Sequence, residues 1–128
     1  MTPIPHESLH GRRILLVEDE LLVAMLSEQV LEDAGCTVIG PAATVGEAIR
    51  LLEQEPCDGA ILDMNLRGEM STPVALLLKE KDIPFVVVTG YEKLTIGAGF
   101  DGIRCVLKPV EPGELTAALA EAVASAKH

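Results

Sequence analysis

The chain has 128 residues, of which 20 are acidic and 10 are basic, and its formal net charge at pH 7 is −10. This balance argues against nucleic-acid binding, which needs a basic face to neutralise phosphates. Apolar residues make up 48% of the chain but aromatic residues only 2%, so we expect one domain with an aliphatic core.

The first elements alternate between strand and helix. Residues 1–11 form a polar lead-in interrupted by prolines, for which we expect little fixed structure. A buried strand is predicted at 13–17, followed by a helix with an apolar repeat that Gly35 is suited to end. A second strand is predicted at 36–39, ending at Gly40-Pro41.

The middle of the chain repeats this alternation. Thr44 and Glu47 have the spacing of a capping box, which predicts the start of a second helix. Pro56 ends that helix, and a third strand follows at 60–62. Residues 64–72 contain a glycine and no sustained periodicity, which predicts a loop.

The last part of the chain continues the same pattern. Pro73 fits the first turn of a third helix, and a fourth strand is predicted at 84–88. Three glycines within 91–102 indicate that a fourth helix there is short or irregular. A fifth strand at 103–107 precedes the clearest helix, which begins near Pro112.

This alternation predicts an α/β fold of the flavodoxin-like (βα)5 type. Strands joined through helices run parallel, with helices on both faces of the sheet. By analogy with other five-stranded sheets of this kind, we expect the strand order 2-1-3-4-5. Strands one and three are then neighbours.

Acidic residues follow these two strands directly: Glu18 and Asp19 after the first, and Asp63 after the third. Two carboxylates about 4 Å apart repel by roughly 4 kcal/mol at an effective dielectric near 20. Such a cluster favours a hard divalent cation, Mg²⁺ or alternatively Mn²⁺. The same acids could instead cap helices, and on their own they leave both interpretations open.

The fourth and fifth strands add a hydroxyl, Thr89, and an ammonium group, Lys108, at the same predicted sheet edge. Each has an ordinary interpretation, as a strand end or a solvated surface lysine. Together with the acids they suit phosphoryl transfer to a carboxylate, with Asp63 as the nucleophile. Mg²⁺ would offset the repulsion, and Lys108 and Thr89 would hold the remaining phosphoryl oxygens.

Over residues 12–126 the sequence resembles the receiver domains of bacterial two-component response regulators. Four stretches carry the resemblance: Ile-Leu-Leu-Val-Glu-Asp-Glu at 14–20, Ile-Leu-Asp-Met-Asn at 61–65, Val-Val-Val-Thr-Gly at 86–90 and Val-Leu-Lys-Pro at 106–109. The resemblance implies that Asp63 accepts a phosphoryl group from a histidine kinase or histidine phosphotransferase, in a two-component phosphorelay. The implied Mg²⁺ ligands are Glu18, Asp19, Asp63 and the backbone carbonyl of Asn65.

The resemblance also implies that Thr89 and Lys108 contact the phosphoryl group and that the Lys108–Pro109 peptide bond is cis. Such a protein is not a conventional enzyme, but it catalyses its own Mg²⁺-dependent phosphorylation and slow dephosphorylation. Because the last helix reaches the end of the sequence, we expect a stand-alone receiver at 12–128 without an output domain, signalling to a downstream protein. It partly resembles a subgroup with a Phe-Ala-Thr-Gly signature, in which Val87-Val88 here replace the Phe-Ala.

One departure from the family concerns the switch. Many receivers carry an aromatic residue three positions before the lysine, where this chain has Cys105. We therefore predict that the signal leaves through Tyr91 and the glycine-rich segment beginning at Gly90. Asn65 and Tyr91 occupy the positions that line the path of the hydrolytic water, so both are expected to affect the phosphoryl lifetime.

Two other functions are alternatives to a phosphoaccepting switch. One is an adaptor with the same fold that binds partners whatever its phosphorylation state. The other is a metal-dependent phosphohydrolase, which would need an acid/base group beyond Asp63. The histidines, His6, His10 and His128, lie near the chain ends and do not supply one.

The three cysteines, Cys36, Cys57 and Cys105, are odd in number and form no Cys-x-x-Cys pair, so free thiols in a reducing compartment are expected. No apolar run approaches the roughly 18 residues that a membrane span needs. The first residues also lack the apolar stretch of a secretory signal. We therefore expect a cytoplasmic protein that makes no membrane contact.

Overall fold

A computed structural model describes residues 9–66, 68–90, 103–108 and 110–125. Three predictions fall outside the described residues: most of the N-terminal lead-in, the irregular fourth helix together with Tyr91, and the cis bond at Pro109. The elements of the described residues, in chain order, are β1 (Arg13–Val17), α1 (Leu21–Asp33), β2 (Thr37–Ala42), α2 (Val45–Gln54), β3 (Gly59–Asp63), β4 (Asn65–Leu66), β5 (Glu69–Met70), α3 (Thr72–Glu80), β6 (Phe85–Thr89), β7 (Arg104–Leu107) and α4 (Pro112–Ser125).

Five of these strands form a parallel sheet in the order β2-β1-β3-β6-β7. In chain order these are the first to fifth main strands, so the predicted order 2-1-3-4-5 is confirmed. Val17 at the end of β1 pairs with Leu62 in β3. Glu18 and Asp63, the residues that follow this pair, therefore lie side by side at the carboxyl edge of the sheet.

The sheet has a hydrophobic core on each face, which explains why the interiors of its central strands are apolar. Alternate residues of β1 point to opposite faces. Leu15 and Val17 join the cluster that packs with α2 and α3, whereas Ile14 and Leu16 join the cluster that packs with α4 and α1. All five residues of β3 are buried, as a central parallel strand requires.

The second strand continues past the point where we predicted its end. β2 runs through Gly40 and Pro41 to Ala42, and its register against β1 shifts between Leu15 and Val17. Gly40 has φ +97°, a conformation that suits glycine, and the Gly40–Pro41 peptide bond is cis. Because β2 is an edge strand, it tolerates a proline without a donor N–H. Predicting a strand end from this dipeptide was wrong.

The segment predicted as a loop at 64–72 also contains regular structure. β4 and β5 pair in an antiparallel hairpin, with Asn65 opposite Met70 and Leu66 opposite Glu69. Gly68 in the turn has φ +89°, and its N–H donates to Asn65 Oδ1 at 2.7 Å. Strands of only two residues are too short to show an alternation of apolar and polar residues, so the sequence did not predict β4 and β5.

Helix starts agree better with prediction. Thr44 is the N-cap of α2, and its hydroxyl accepts a hydrogen bond from the Glu47 N–H at 3.1 Å. The Glu47 carboxylate in turn accepts from the Ala43 N–H at 2.9 Å. α3 begins at Thr72 with Pro73 in its first turn.

Candidate functional site

The sheet brings the three predicted acids together at its carboxyl edge. Glu18, Asp19 and Asp63 each offer a carboxylate oxygen, and these oxygens all lie within 4.8 Å of one another. Glu18 is 5% exposed and Asp63 is 4% exposed, while Asp19 is half-buried. The convergence that the strand order predicted is therefore present.

The alternative interpretation, that the acids cap helices, finds no support in the N-cap residue of α1. Its N-cap is Glu20, which makes no side-chain cap bond, and its first turn holds no acid. Glu18 Oε1 does accept from the Glu20 N–H at 3.1 Å, and Asp63 Oδ1 accepts from the Asn65 N–H at 3.2 Å. Each of these two carboxylates thus keeps one oxygen bonded to local backbone and has a second oxygen that faces the pocket lysine.

Lys108 is a cation held among these carboxylates. Its Nζ lies 2.9 Å from Asp63 Oδ2, 3.3 Å from Glu20 Oε1 and 3.7 Å from Glu18 Oε2. Its backbone N–H donates to the Thr89 carbonyl at 2.9 Å, which ties the end of β7 to the end of β6. The predicted lysine and the predicted phosphoacceptor are therefore in direct contact.

The electrostatics of the pocket show an excess of negative charge. Burial and, after it, the hydrogen bond and charge of the neighbouring Asp63 carboxylate together raise the pKa of Glu18 to about 8. Burial lowers the pKa of Lys108, but its hydrogen bond to Asp63 and the nearby negative charges outweigh burial, so the net shift is upward. Among the residues that the structure describes, one ammonium faces several carboxylates, and carboxylate oxygens are the ligands that Mg²⁺ prefers. The residues present fit a hard divalent cation.

A small cavity opens onto the phosphoacceptor candidate. It has a volume of about 230 Å³ and is lined by Asp63, Asn65, Thr89, Gly90 and Lys108. Thr89 is buried at the end of β6, and Gly90 is exposed. The predicted hydroxyl, ammonium and carboxylate thus share one cavity with the backbone that follows Asp63.

The predicted switch residues are placed only in part. Cys105 is half-buried and packs against the core cluster next to α2 and α3, with its thiol 3.6 Å from the Ile103 carbonyl. Tyr91 lies outside the described residues. All three cysteines are free thiols, as predicted.

Two residues at the site were missed by the sequence interpretation. Glu20 contacts Lys108, and its place in the acidic run after β1 was an available signal. Ser71 is buried at the base of the β4–β5 hairpin, where its hydroxyl lies 3.1 Å from the Met64 carbonyl. The sequence around Ser71, just before Pro73, indicates only the start of a helix.

The response regulator receiver domain model matches residues 14–120. The chain therefore belongs to the receiver domain family of response regulators. Among the described residues, no helix is long and apolar enough to cross a membrane.

Particular relatives narrow the comparison. The chain is 33% identical over 114 residues to the phyllosphere-induced regulator PhyR of Methylorubrum extorquens, covering 86% of this chain and 43% of PhyR. It is 32% identical to the regulatory protein VanR of Enterococcus faecium, covering 82% of this chain and 47% of VanR. The chain thus spans less than half the length of these curated relatives.

A solved structure of similar length is the solution structure of SdrG from Sphingomonas melonis Fr1. It is 40% identical with a TM-score of 0.74, and the match covers 93% of this chain and 97% of SdrG. A receiver protein from Sinorhizobium medicae has a TM-score of 0.83 at 23% identity, covering 93% of this chain and 99% of that one, which shows the shared fold.

Proposed function

We propose that this receiver domain is a phosphoaccepting switch and that Asp63 takes its phosphoryl group from a phosphohistidine. The donor is a histidine kinase or a histidine phosphotransferase. One observation carries the proposal: a nearly buried Asp63 carboxylate lies 2.9 Å from Lys108 Nζ and lines a cavity with Thr89.

The residues supply the chemistry in complementary roles. An oxygen of Asp63 attacks phosphorus, the P–N bond breaks with its electron pair passing to the imidazole, and an acyl phosphate forms. Lys108 offsets the negative charge on the phosphoryl oxygens, and the Thr89 hydroxyl donates to one of them. Glu18, Asp19, Asp63 and the Asn65 carbonyl would hold Mg²⁺, which supplies the remaining charge neutralisation when bound.

An apolar surface beside the pocket supports a protein as the phosphodonor. Four large side chains near the start of α1 are between 55% and 74% exposed: Leu21, Leu22, Met25 and Leu26. Of these four, Leu26 lines a groove of about 650 Å³ between α1 and the start of α4, whose lining also includes Val30, Leu115 and Lys108. Exposed apolar patches of this kind mark protein contacts. We propose that the donor covers this groove while it presents its histidine to Asp63.

The wider setting follows from the same proposal. Residues 12–128 act as one receiver domain in the cytoplasm, and the phosphorylated form signals by binding a downstream protein. Phosphorylation-independent binding remains the alternative, because Cys105 cannot provide an aromatic switch.

The test is intact-protein mass spectrometry after incubation with acetyl phosphate and Mg²⁺, with Asp63→Asn as the control. We expect wild type to gain the mass of one phosphoryl group and the variant to gain none. If wild type gains no mass, the switch is overturned. Equal affinity of wild type and Asp63→Asn for the downstream protein would then favour the adaptor.

A further inference from the structure

Ser71 is a helix N-cap whose hydroxyl does not cap the helix. Its carbonyl starts α3 by accepting from the Val74 N–H at 2.9 Å and the Ala75 N–H at 3.1 Å. Its side chain makes no cap bond, although a serine hydroxyl at this position usually accepts from the first turn. The hydroxyl instead donates to the Met64 carbonyl at 3.1 Å, and the residue is 0% exposed.

A second hydrogen bond joins the same two residues. The Ser71 N–H donates to the Met64 carbonyl at 2.9 Å, so this oxygen receives both donors of Ser71. The Met64 N–H donates to the Val88 carbonyl of β6 at 3.0 Å, on the side away from Ser71. The peptide that follows Asp63 is therefore clamped between the sheet and the start of α3.

This clamp determines which way the next peptide points. In an antiparallel ladder, hydrogen-bonded and non-hydrogen-bonded pairs alternate. The Ser71–Met64 bond makes the adjacent pair, Asn65 opposite Met70, a non-hydrogen-bonded one. The N–H and C=O of Asn65 then both point away from β5. The N–H indeed donates to Asp63 Oδ1 at 3.2 Å, so the carbonyl leaves the hairpin on the side of the carboxylate cluster.

We propose that Ser71 is a positioning residue for the metal: by clamping the Met64 carbonyl, it fixes the register of the hairpin and aims the Asn65 carbonyl at the Mg²⁺ ligands. The inference rests on the proposed function for the metal itself. A hydroxyl that served only α3 would bond within the first turn of α3, which this one does not do.

The test compares Mg²⁺ affinity by isothermal titration calorimetry in wild type, Ser71→Ala and Ser71→Gly. Both variants lose the hydroxyl, and glycine is well tolerated at an N-cap. The matched control is Cys36→Ala, which also deletes a buried side-chain donor to a backbone carbonyl, that of Leu9 at 3.6 Å. Cys36 directly precedes β2, at the amino ends of the strands and away from the pocket. We expect both Ser71 variants to bind Mg²⁺ about 10-fold more weakly, the lower end of the loss typical of outer-shell ligand changes, and the control to bind like wild type.

The carbonyl ¹³C resonances of wild type give a readout that does not depend on any variant folding. On titration with Mg²⁺, the Asn65 carbonyl should shift more than the Met64 carbonyl. Equal Mg²⁺ affinity in wild type and the Ser71 variants, or a larger shift at Met64, would overturn the positioning role alone. Failure of wild type to bind Mg²⁺ at all would overturn the proposed function with it.

Discussion

Glu18 is the residue whose ionisation sets the charge of the pocket. Its carboxyl group lies almost out of contact with water at the end of β1, and this burial, with Asp63 beside it, raises its pKa to about 8. A carboxyl group that is partly protonated near neutral pH lowers the repulsion within the cluster. It must ionise before it can act as a metal ligand.

The raised pKa of Glu18 predicts how stability depends on pH without metal. The folded protein binds this proton more tightly than the unfolded chain does, so the contribution to stability is fully present below about pH 4.5 and is lost as the pH rises through about 8. We expect the free energy of unfolding, measured with urea in the presence of a chelator, to fall across this range. Glu18→Gln should flatten the fall, and an equally steep fall in that variant would show that another group is responsible.

At the scale of elements, local chemistry explains both the successes and the errors of sequence interpretation. β1, β3 and β6 consist mainly of buried apolar residues, and the polar residues that end β3 and β6 identified Asp63 and Thr89 directly. The Gly40-Pro41 pair indicated a strand end because glycine and proline usually interrupt strands. The sequence does not show that β2 is an edge strand whose register can shift there. Ser71 could not be found, since its partner is the Met64 carbonyl, and backbone partners leave no mark in the sequence.

The register shift between β1 and β2 makes a prediction for Gly40. A Cβ added there would lie 2.8 Å from the Ala42 nitrogen and 3.0 Å from the Leu16 oxygen, at φ +97°. We expect Gly40→Ala to lower the free energy of unfolding by roughly 1–3 kcal/mol, the usual cost of such a strained backbone. Gly46→Ala in α2 is the control, because a Cβ there meets nothing within 4 Å. Equal unfolding midpoints for the two variants in urea would show that the backbone conformation of Gly40 does not require glycine.

The route of the switch stays a prediction, since Tyr91 lies outside the described residues. Cys105 is half-buried against the core and has no ring to move inward. We expect beryllofluoride, a phosphoryl mimic, to change amide hydrogen exchange across 91–102. The change should disappear in Tyr91→Ala and persist in Cys105→Ala. A change that follows Cys105 instead would place the switch in β7.

At the scale of the whole molecule, the fold gathers into one pocket the groups that the sequence separates widely. β1 and β3 deliver the acids, β6 and β7 deliver Thr89 and Lys108, and the parallel order places all four strand ends on one edge. The net charge of −10 and the apolar groove beside α1 favour recognition through a local surface rather than through overall charge. The parallel sheet was predictable from alternation and its strand order only by analogy, whereas the groove depends on side chains of two helices far apart in sequence.

The most direct test of the central claim is to locate the phosphoryl group on the chain. Wild type is phosphorylated with acetyl phosphate and Mg²⁺, the acyl phosphate is reduced with borohydride to homoserine, and the peptides are sequenced by mass spectrometry. We expect homoserine at position 63 and at no other aspartate. Reduction at another acidic residue, or an unmodified Asp63 in protein that has gained a phosphoryl group, would contradict this expectation.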